Sequence, residues 1–235
     1  MIVEAVGITR RFGGFTALQG VDFRLAPKER VALIGPNGSG KSTFVNCLTG
    51  VLPPSAGTVR FEGMDITAMP AWRRARLGLS RSFQIPRPFG GMTVRENIEI
   101  PLTFIAGDRA GLAAAADAIL AQVGLLSLSA VRPRTLSQVE LRRLELGRAL
   151  AARPRVLIAD EAMAGLSDSE VDEILDLLLR LNSEGIAILL IEHIMRAVMR
   201  FSERIVVLVA GQKIADGTPD EVRAHPEVVR AYLGE

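Results

Sequence analysis

Extended, β-branched segments bounded by Gly and Pro recur along the chain with helical stretches between them, the alternation of a parallel sheet covered on both faces. Strands are predicted over residues 21–25, 30–34, 155–159, 186–191 and 204–209. Helices are predicted after Gly40, over 169–181, and from near His193. From 93 to 152 no strand pattern occurs, and the Ala/Leu-rich run over 111–126 is helical in character. That stretch reads as a helical insertion, with breaks at Pro86 and Pro88 and at the Arg132-Pro133-Arg134 loop.

The longest apolar runs fall far short of the roughly 20 residues that cross a bilayer, so they read as buried strands. With 235 residues, 49% of them hydrophobic, the chain can bury a substantial core. The net charge of +2 permits a nucleic-acid or membrane-surface partner and demands neither. The N-terminus, Met1-Ile-Val-Glu-Ala5, lacks the basic start and apolar run of a secretory signal, so a cytoplasmic protein is expected. The single cysteine, Cys47, allows no intramolecular disulfide and reads as a small core residue. His225 lies in a polar C-terminal segment and is expected to be solvated.

Gly35, Pro36, Asn37, Gly38, Ser39, Gly40, Lys41, Ser42 and Thr43 satisfy G-x-x-x-x-G-K-[ST] between an apolar strand and a helical stretch. An accidental match arises on the order of once in 30,000 positions at average residue usage, so the motif is read as a phosphate-binding loop. Glycines let backbone N–H groups close around anionic oxygens, and the helix N-terminus adds a favourable dipole. Lys41 is expected to reach the β- and γ-phosphates of ATP, Ser42 to place its hydroxyl on Mg²⁺, and Thr43 to serve the α-phosphate region. Asp160 and Glu161 end a second apolar strand, at the sheet edge where ligands of open α/β folds sit. Following a P-loop, they are read as the Mg²⁺-holding carboxylate and the base for the attacking water.

These motifs, in this order and over essentially all 235 residues, resemble those of an ATP-binding-cassette (ABC) ATPase. The resemblance implies an α/β fold with a RecA-like P-loop core, a small antiparallel β part near the N-terminus, and a helical subdomain inserted at about residues 86–153 of a single domain. It further implies that Gln84, in Ser82-Phe83-Gln84, is the Q-loop glutamine at Mg²⁺ and the attacking water. His193 would be the switch histidine at the γ-phosphate, and Phe12 the aromatic stacked on adenine. Ala164-Gly-Leu-Ser-Asp168 resembles the D-loop that crosses to a partner subunit.

Where the family has LSGGQ, this chain has Leu136-Ser-Gln-Val-Glu140, with both glycines replaced. Ser137 is the signature serine that would face the other subunit's nucleotide, and with Glu140 it also forms an S-x-x-E capping box. Side chains at 138 and 139 are expected to weaken this half-site, favouring a heterodimer with a second ABC ATPase subunit over a homodimer.

Other stretches, Arg11-Phe-Gly-Gly14, Asn46-Cys-Leu-Thr-Gly50, Arg81-Ser-Phe-Gln84, Met92-Thr-Val-Arg-Glu-Asn97 and Arg230-Ala-Tyr-Leu-Gly-Glu235, are similar to those of branched-chain amino-acid importer ATPases, and related subunits for urea, other amides or outer-membrane lipid export share parts of them. An ATP-hydrolysing subunit is therefore expected at the cytoplasmic face of the inner membrane, bound to transmembrane permease subunits, with no nucleic-acid partner. Two alternatives stand beside it: a soluble cassette ATPase of DNA repair or translation, and a nucleotide-binding regulatory subunit with weak hydrolysis.

Overall fold

The computed structural model describes residues 1–107 and 111–233. One sheet is antiparallel and is built from β1 (Val3–Phe12), β2 (Phe15–Leu25), β4 (Ala56–Phe61) and β5 (Met64–Asp65), in the order β2-β1-β4-β5. The other comprises β3 (Arg30–Ile34), β6 (Leu79–Ser82), β7 (Val156–Asp160), β8 (Ala187–Ile191), β9 (Arg204–Val209) and β10 (Gln212–Gly217). Its order is β10-β9-β3-β8-β7-β6, parallel throughout except at the β9–β10 pair. The helices are α1 (Lys41–Thr49), α2 (Ala71–Arg76), α3 (Val94–Pro101), α4 (Leu112–Gln122), α5 (Gln138–Leu150), α6 (Asp168–Ser183), α7 (Met195–Phe201), α8 (Pro219–Ala224) and α9 (Pro226–Leu233).

The parallel sheet explains its own sequence. Alternate residues of β7 and β8 enter different cores: Leu157, Ala159, Ile188 and Leu190 join the helical side, formed with α3, α4, α5 and α6. Val156, Ile158, Leu189 and Ile191 join the opposite side, where α1 and the antiparallel sheet pack. Both faces are dry, so these strands read as continuous apolar runs. The expected strand over 21–25 is corrected: it is the end of β2 and pairs with β1 in the antiparallel sheet. Its burial alternates, with Val21, Phe23 and Leu25 inside and Asp22 and Arg24 outside, as befits a sheet covered on one face.

Between β6 and β7, neighbours in the sheet, the chain forms α3, α4 and α5 and no strand among the described residues. Ser137 caps α5 with Glu140: the Ser137 N–H donates to Glu140 Oε2 at 2.7 Å, and the Glu140 N–H to Ser137 Oγ at 3.4 Å. Cys47 is free and buried. The expectation for His225 is corrected, since it is half-buried and its Nδ1 is enclosed without a partner. Gly234 and Glu235 of the C-terminal motif lie outside the described residues. No described helix is long and apolar enough to cross a membrane.

Candidate functional site

The loop from Gly35 to Gly40 joins β3 to α1, and its glycines are required by geometry. At Gly35 (φ +150°) a Cβ would stand 2.1 Å from the Leu208 carbonyl oxygen, and at Gly40 (φ +102°) 2.8 Å from that of Ala17. Any other residue would force strands and loop apart. Gly40 caps α1 with no side-chain bond, so the first N–H groups of the helix remain for a ligand. The Lys41 Nζ donates to the carbonyls of Gly35 at 2.6 Å and Pro36 at 3.1 Å. Burial lowers the Lys41 pKa from its ordinary value, and the Glu161 and Asp160 carboxylates oppose that shift. The P-loop lysine thus lies within the field of both strand-end acids.

Asp160 closes β7 opposite Ile191 of β8, and Leu33 of β3 faces the same Ile191, so P-loop and acids share one sheet edge. Glu161 follows in a left-handed backbone conformation, φ +47°, with its N–H bonded to the Ile191 carbonyl. A cleft of about 310 Å³ is lined by Asn37, Gly38, Ser39, Gly40, Lys41, Ser42, Thr43 and Glu161, together with Phe15 and Ala17. A second, of about 510 Å³, is lined by Ser42, Gln84 and Asp160 with Asn46, Arg81 and Arg148 among others. Gln84 and Glu161 meet directly, the Gln84 Nε2 donating to Glu161 Oε2 at 2.5 Å.

Ser42, Gln84 and Asp160 offer a hydroxyl, an amide oxygen and a carboxylate around one cleft. Among the described residues no cluster of three or more His, Cys, Asp or Glu could hold a metal. An all-oxygen, incomplete donor set fits Mg²⁺, which keeps several waters and takes phosphate oxygens as further ligands.

Other sequence-predicted residues lie apart from these two clefts. His193 follows the end of β8 at the same sheet edge, but its side chain is exposed and its nearest recorded partner is Glu192, Nδ1 to Oε2 at 3.9 Å. Ser137 caps α5 and lines neither cleft. Phe12 is exposed with the Arg10 guanidinium 4.7 Å from its ring centroid. Phe15 is its cross-strand partner and lines the P-loop cleft. Sequence reasoning passed over Phe15, although an aromatic directly after the Gly13-Gly14 turn was a usable signal.

It also missed two arginines. Arg81 on β6 donates from Nε and Nη2 to Asp160 Oδ2, at 3.1 and 2.5 Å, and from Nη1 to Asn46 Oδ1 at 2.7 Å. Arg142 on α5 donates to the carbonyls of Gln84 and Ala164. Glu192 is buried, its Oε1 accepting the Met163 N–H at 2.9 Å, and burial pushes its carboxyl pKa up.

Comparison with known proteins bears on the family and the fold. The family described as "ABC transporter" matches residues 18–164, and "Branched-chain amino acid ATP-binding cassette transporter" matches residues 212–235. The chain is 40% identical to the high-affinity branched-chain amino acid transport ATP-binding protein BraF of Pseudomonas aeruginosa, covering 100% of this chain and 98% of that protein. It is 39% identical to LivG of Escherichia coli, an ATP-binding protein of the same description, with the same coverage. Among solved structures, a nucleotide-free ATP-binding cassette from an ABC transporter superposes with a TM-score of 0.89 at 31% identity, covering 100% of this chain and 99% of that one. A cassette in its ADP conformation gives 0.89 at 32%, with the same coverage. A dimeric cassette bound to ADP and Pi gives 0.83 at 26%, covering 92% and 98%. With a full-length likeness in sequence and fold and the P-loop and strand-end acids in place, the chain belongs to the ABC transporter ATP-binding family.

Proposed function

We propose that this ABC ATPase hydrolyses Mg-ATP to drive import of branched-chain amino acids, or closely related small solutes, through permease subunits. The observation that carries the chemistry is Glu161, which lines the P-loop cleft while its carboxylate is held by Gln84. Backbone N–H groups from Gly38 to Thr43 bind the phosphates, and Lys41 leaves its loop carbonyls to meet the β- and γ-phosphates. Ser42, Asp160 and Gln84 hold Mg²⁺, which when bound neutralises charge on the phosphate oxygens. Glu161 orients the attacking water and accepts its proton, with Gln84 fixing the carboxylate. His193 at the same sheet edge donates to the γ-phosphate. Adenine rests on the hairpin aromatics Phe12 and Phe15.

The helical segment over about residues 86–153 acts as the subdomain that moves against the core. A second cassette subunit completes each nucleotide site with its signature segment, and the side chains of Gln138 and Val139 weaken the half-site this chain supplies. A heterodimer, in which only one composite site carries that change, is therefore favoured.

An apolar groove of about 370 Å³ separates the core from the helical segment, lined by Val51, Trp72, Phe83, Phe89 and Phe104 among others. Trp72, Phe83 and Phe104 are at least half exposed there, a costly arrangement unless a partner covers them. A cytoplasmic segment of the permease is the occupant, placing the chain peripherally at the cytoplasmic face of the inner membrane.

Reconstitution with the permease subunits tests the reading. ATP-driven uptake of labelled leucine, lost on Lys41→Ala, is expected. A reconstituted complex that hydrolyses ATP but moves no branched-chain amino acid would move the substrate assignment elsewhere.

A further inference from the structure

Arg142 stands one helical turn after Gln138 on α5 and is only 6% exposed. A buried guanidinium is expensive unless its donors are used. Its Nη1 donates to the carbonyl of Gln84 and its Nη2 to that of Ala164 at 2.9 Å, while Nε is enclosed without a partner. Desolvation lowers its pKa, and the Glu192, Glu161 and Glu145 carboxylates act the other way. The charge is thus balanced by acids around it, but the directional bonds go to main chain.

Bonds to carbonyls fix where a backbone runs, whatever side chain it carries. A planar fork reaches two such carbonyls at once, which the point charge of a lysine cannot reproduce. The two carbonyls chosen matter for the chemistry. Gln84, gripped at its carbonyl, grips Glu161 through its amide at 2.5 Å. Ala164, three residues beyond Glu161, closes a turn with it, its N–H donating to the Glu161 carbonyl at 3.2 Å. Gln138 shares the Arg142 face of α5, and its Nε2 lies 3.5 Å from where a Gly165 Cβ would stand. One face of the helix therefore holds both the loop that carries Gln84 and the loop that follows Glu161.

We propose that Arg142 is a positioning residue that straps the start of α5 to both loops, so that the register of the signature helix sets the contact between Gln84 and Glu161. It rests on the reading that these two residues act on the attacking water. The link runs within one chain and makes hydrolysis sensitive to how α5 is held by whatever docks beside it.

The test compares wild type, Arg142→Met, Arg142→Lys and Glu161→Gln, each assembled with its partner subunits. Steady-state kcat and KM, Kd for a fluorescent ATP analogue, melting temperature, and amide exchange over residues 82–86 and 162–166 are measured. Arg142→Met is expected to lower kcat at least tenfold with KM and Kd within twofold. Exchange should accelerate at least tenfold in both segments, with partial recovery of kcat in Arg142→Lys. A folded Arg142→Met with kcat within twofold of wild type, or with unchanged exchange in either segment, overturns the proposal. If Arg142→Met does not fold, Arg142→Lys decides: full kcat together with unchanged exchange overturns it, and reduced kcat with faster exchange supports it. Full activity in Glu161→Gln would instead refute the role given to Glu161, and the exchange measurement would still decide whether Arg142 straps the loops.

Discussion

Replacing Arg81 by Met should cost the protein more stability than its single salt bridge suggests. The Arg81 and Asp160 side chains are 11% and 7% exposed and 2.5 Å apart, and Arg81 also holds Asn46. Removing the guanidinium leaves a carboxylate enclosed at the end of β7 without its cation. Breaking a buried pair in this way costs about 3–5 kcal/mol. For a chain of this size each kcal/mol moves the melting temperature by about 2–4 °C, so a fall of roughly 6–20 °C is expected for Arg81→Met in EDTA. The double variant Arg81→Met/Asp160→Asn removes the stranded charge and should regain a large part of that loss, giving a coupling well beyond the few tenths of a kcal/mol of independent sites. Mg²⁺ with ADP should raise the melting temperature of Arg81→Met more than that of wild type, since Asp160 no longer has a competing cation. The assay is differential scanning calorimetry of wild type, Arg81→Met, Asp160→Asn and the double variant in one buffer. A fall under about 2 °C, or a double variant as unstable as the single one, would refute the reasoning.

Glu192 offers a pH test. Burial raises its carboxyl pKa above the ordinary 4.5, so the folded chain binds that proton more tightly than the unfolded one. Its contribution is fully present below pH 4.5 and is lost as pH rises through the folded value. Glu192→Gln keeps an acceptor for the Met163 N–H without the buried charge, and should melt higher than wild type near pH 7, the advantage shrinking as pH falls toward 4.5; a pH-independent difference contradicts this. Phe15→Ala should weaken nucleotide binding by about 2- to 10-fold, in line with about 0.5–1.5 kcal/mol for an aromatic contact, and at least as much as Phe12→Ala. Equilibrium titration with a fluorescent ATP analogue checks it, and an unchanged affinity in Phe15→Ala removes that residue from the base site.

The parts of the site that sequence displays are those held in one continuous stretch. Residues 35–43 carry their own turn, helix start and ligand groups, and Ser137 with Glu140 forms a cap within four positions. The strand bearing Asp160 stands out because both faces are buried. By contrast β6 reads Leu-Ser-Arg-Ser, polar at three of its four positions, and its Arg81 turns into the site to meet a residue 79 positions away. Arg142 meets Gln84 across 58 positions, and only the order β7-β6 and the packing of α5 bring them together. The strand expected over 21–25 falls in the antiparallel sheet, and its alternating Val-Asp-Phe-Arg-Leu differs in period from the unbroken Val-Ala-Leu-Ile of β3. That difference is the physical mark of one buried face against two.

Steady-state ATP hydrolysis by the purified chain alone, and after mixing with its partner cassette, tests whether Glu161 drives hydrolysis in a composite site, with Glu161→Gln as control. The account predicts a nearly silent chain and an active mixture, with Glu161→Gln lowering kcat about 10²- to 10⁴-fold, the usual worth of a general base, at unchanged nucleotide affinity. A mixture whose rate is indifferent to Glu161→Gln would contradict the catalytic reading, and brisk hydrolysis by the chain alone would remove the basis for a weakened signature half-site.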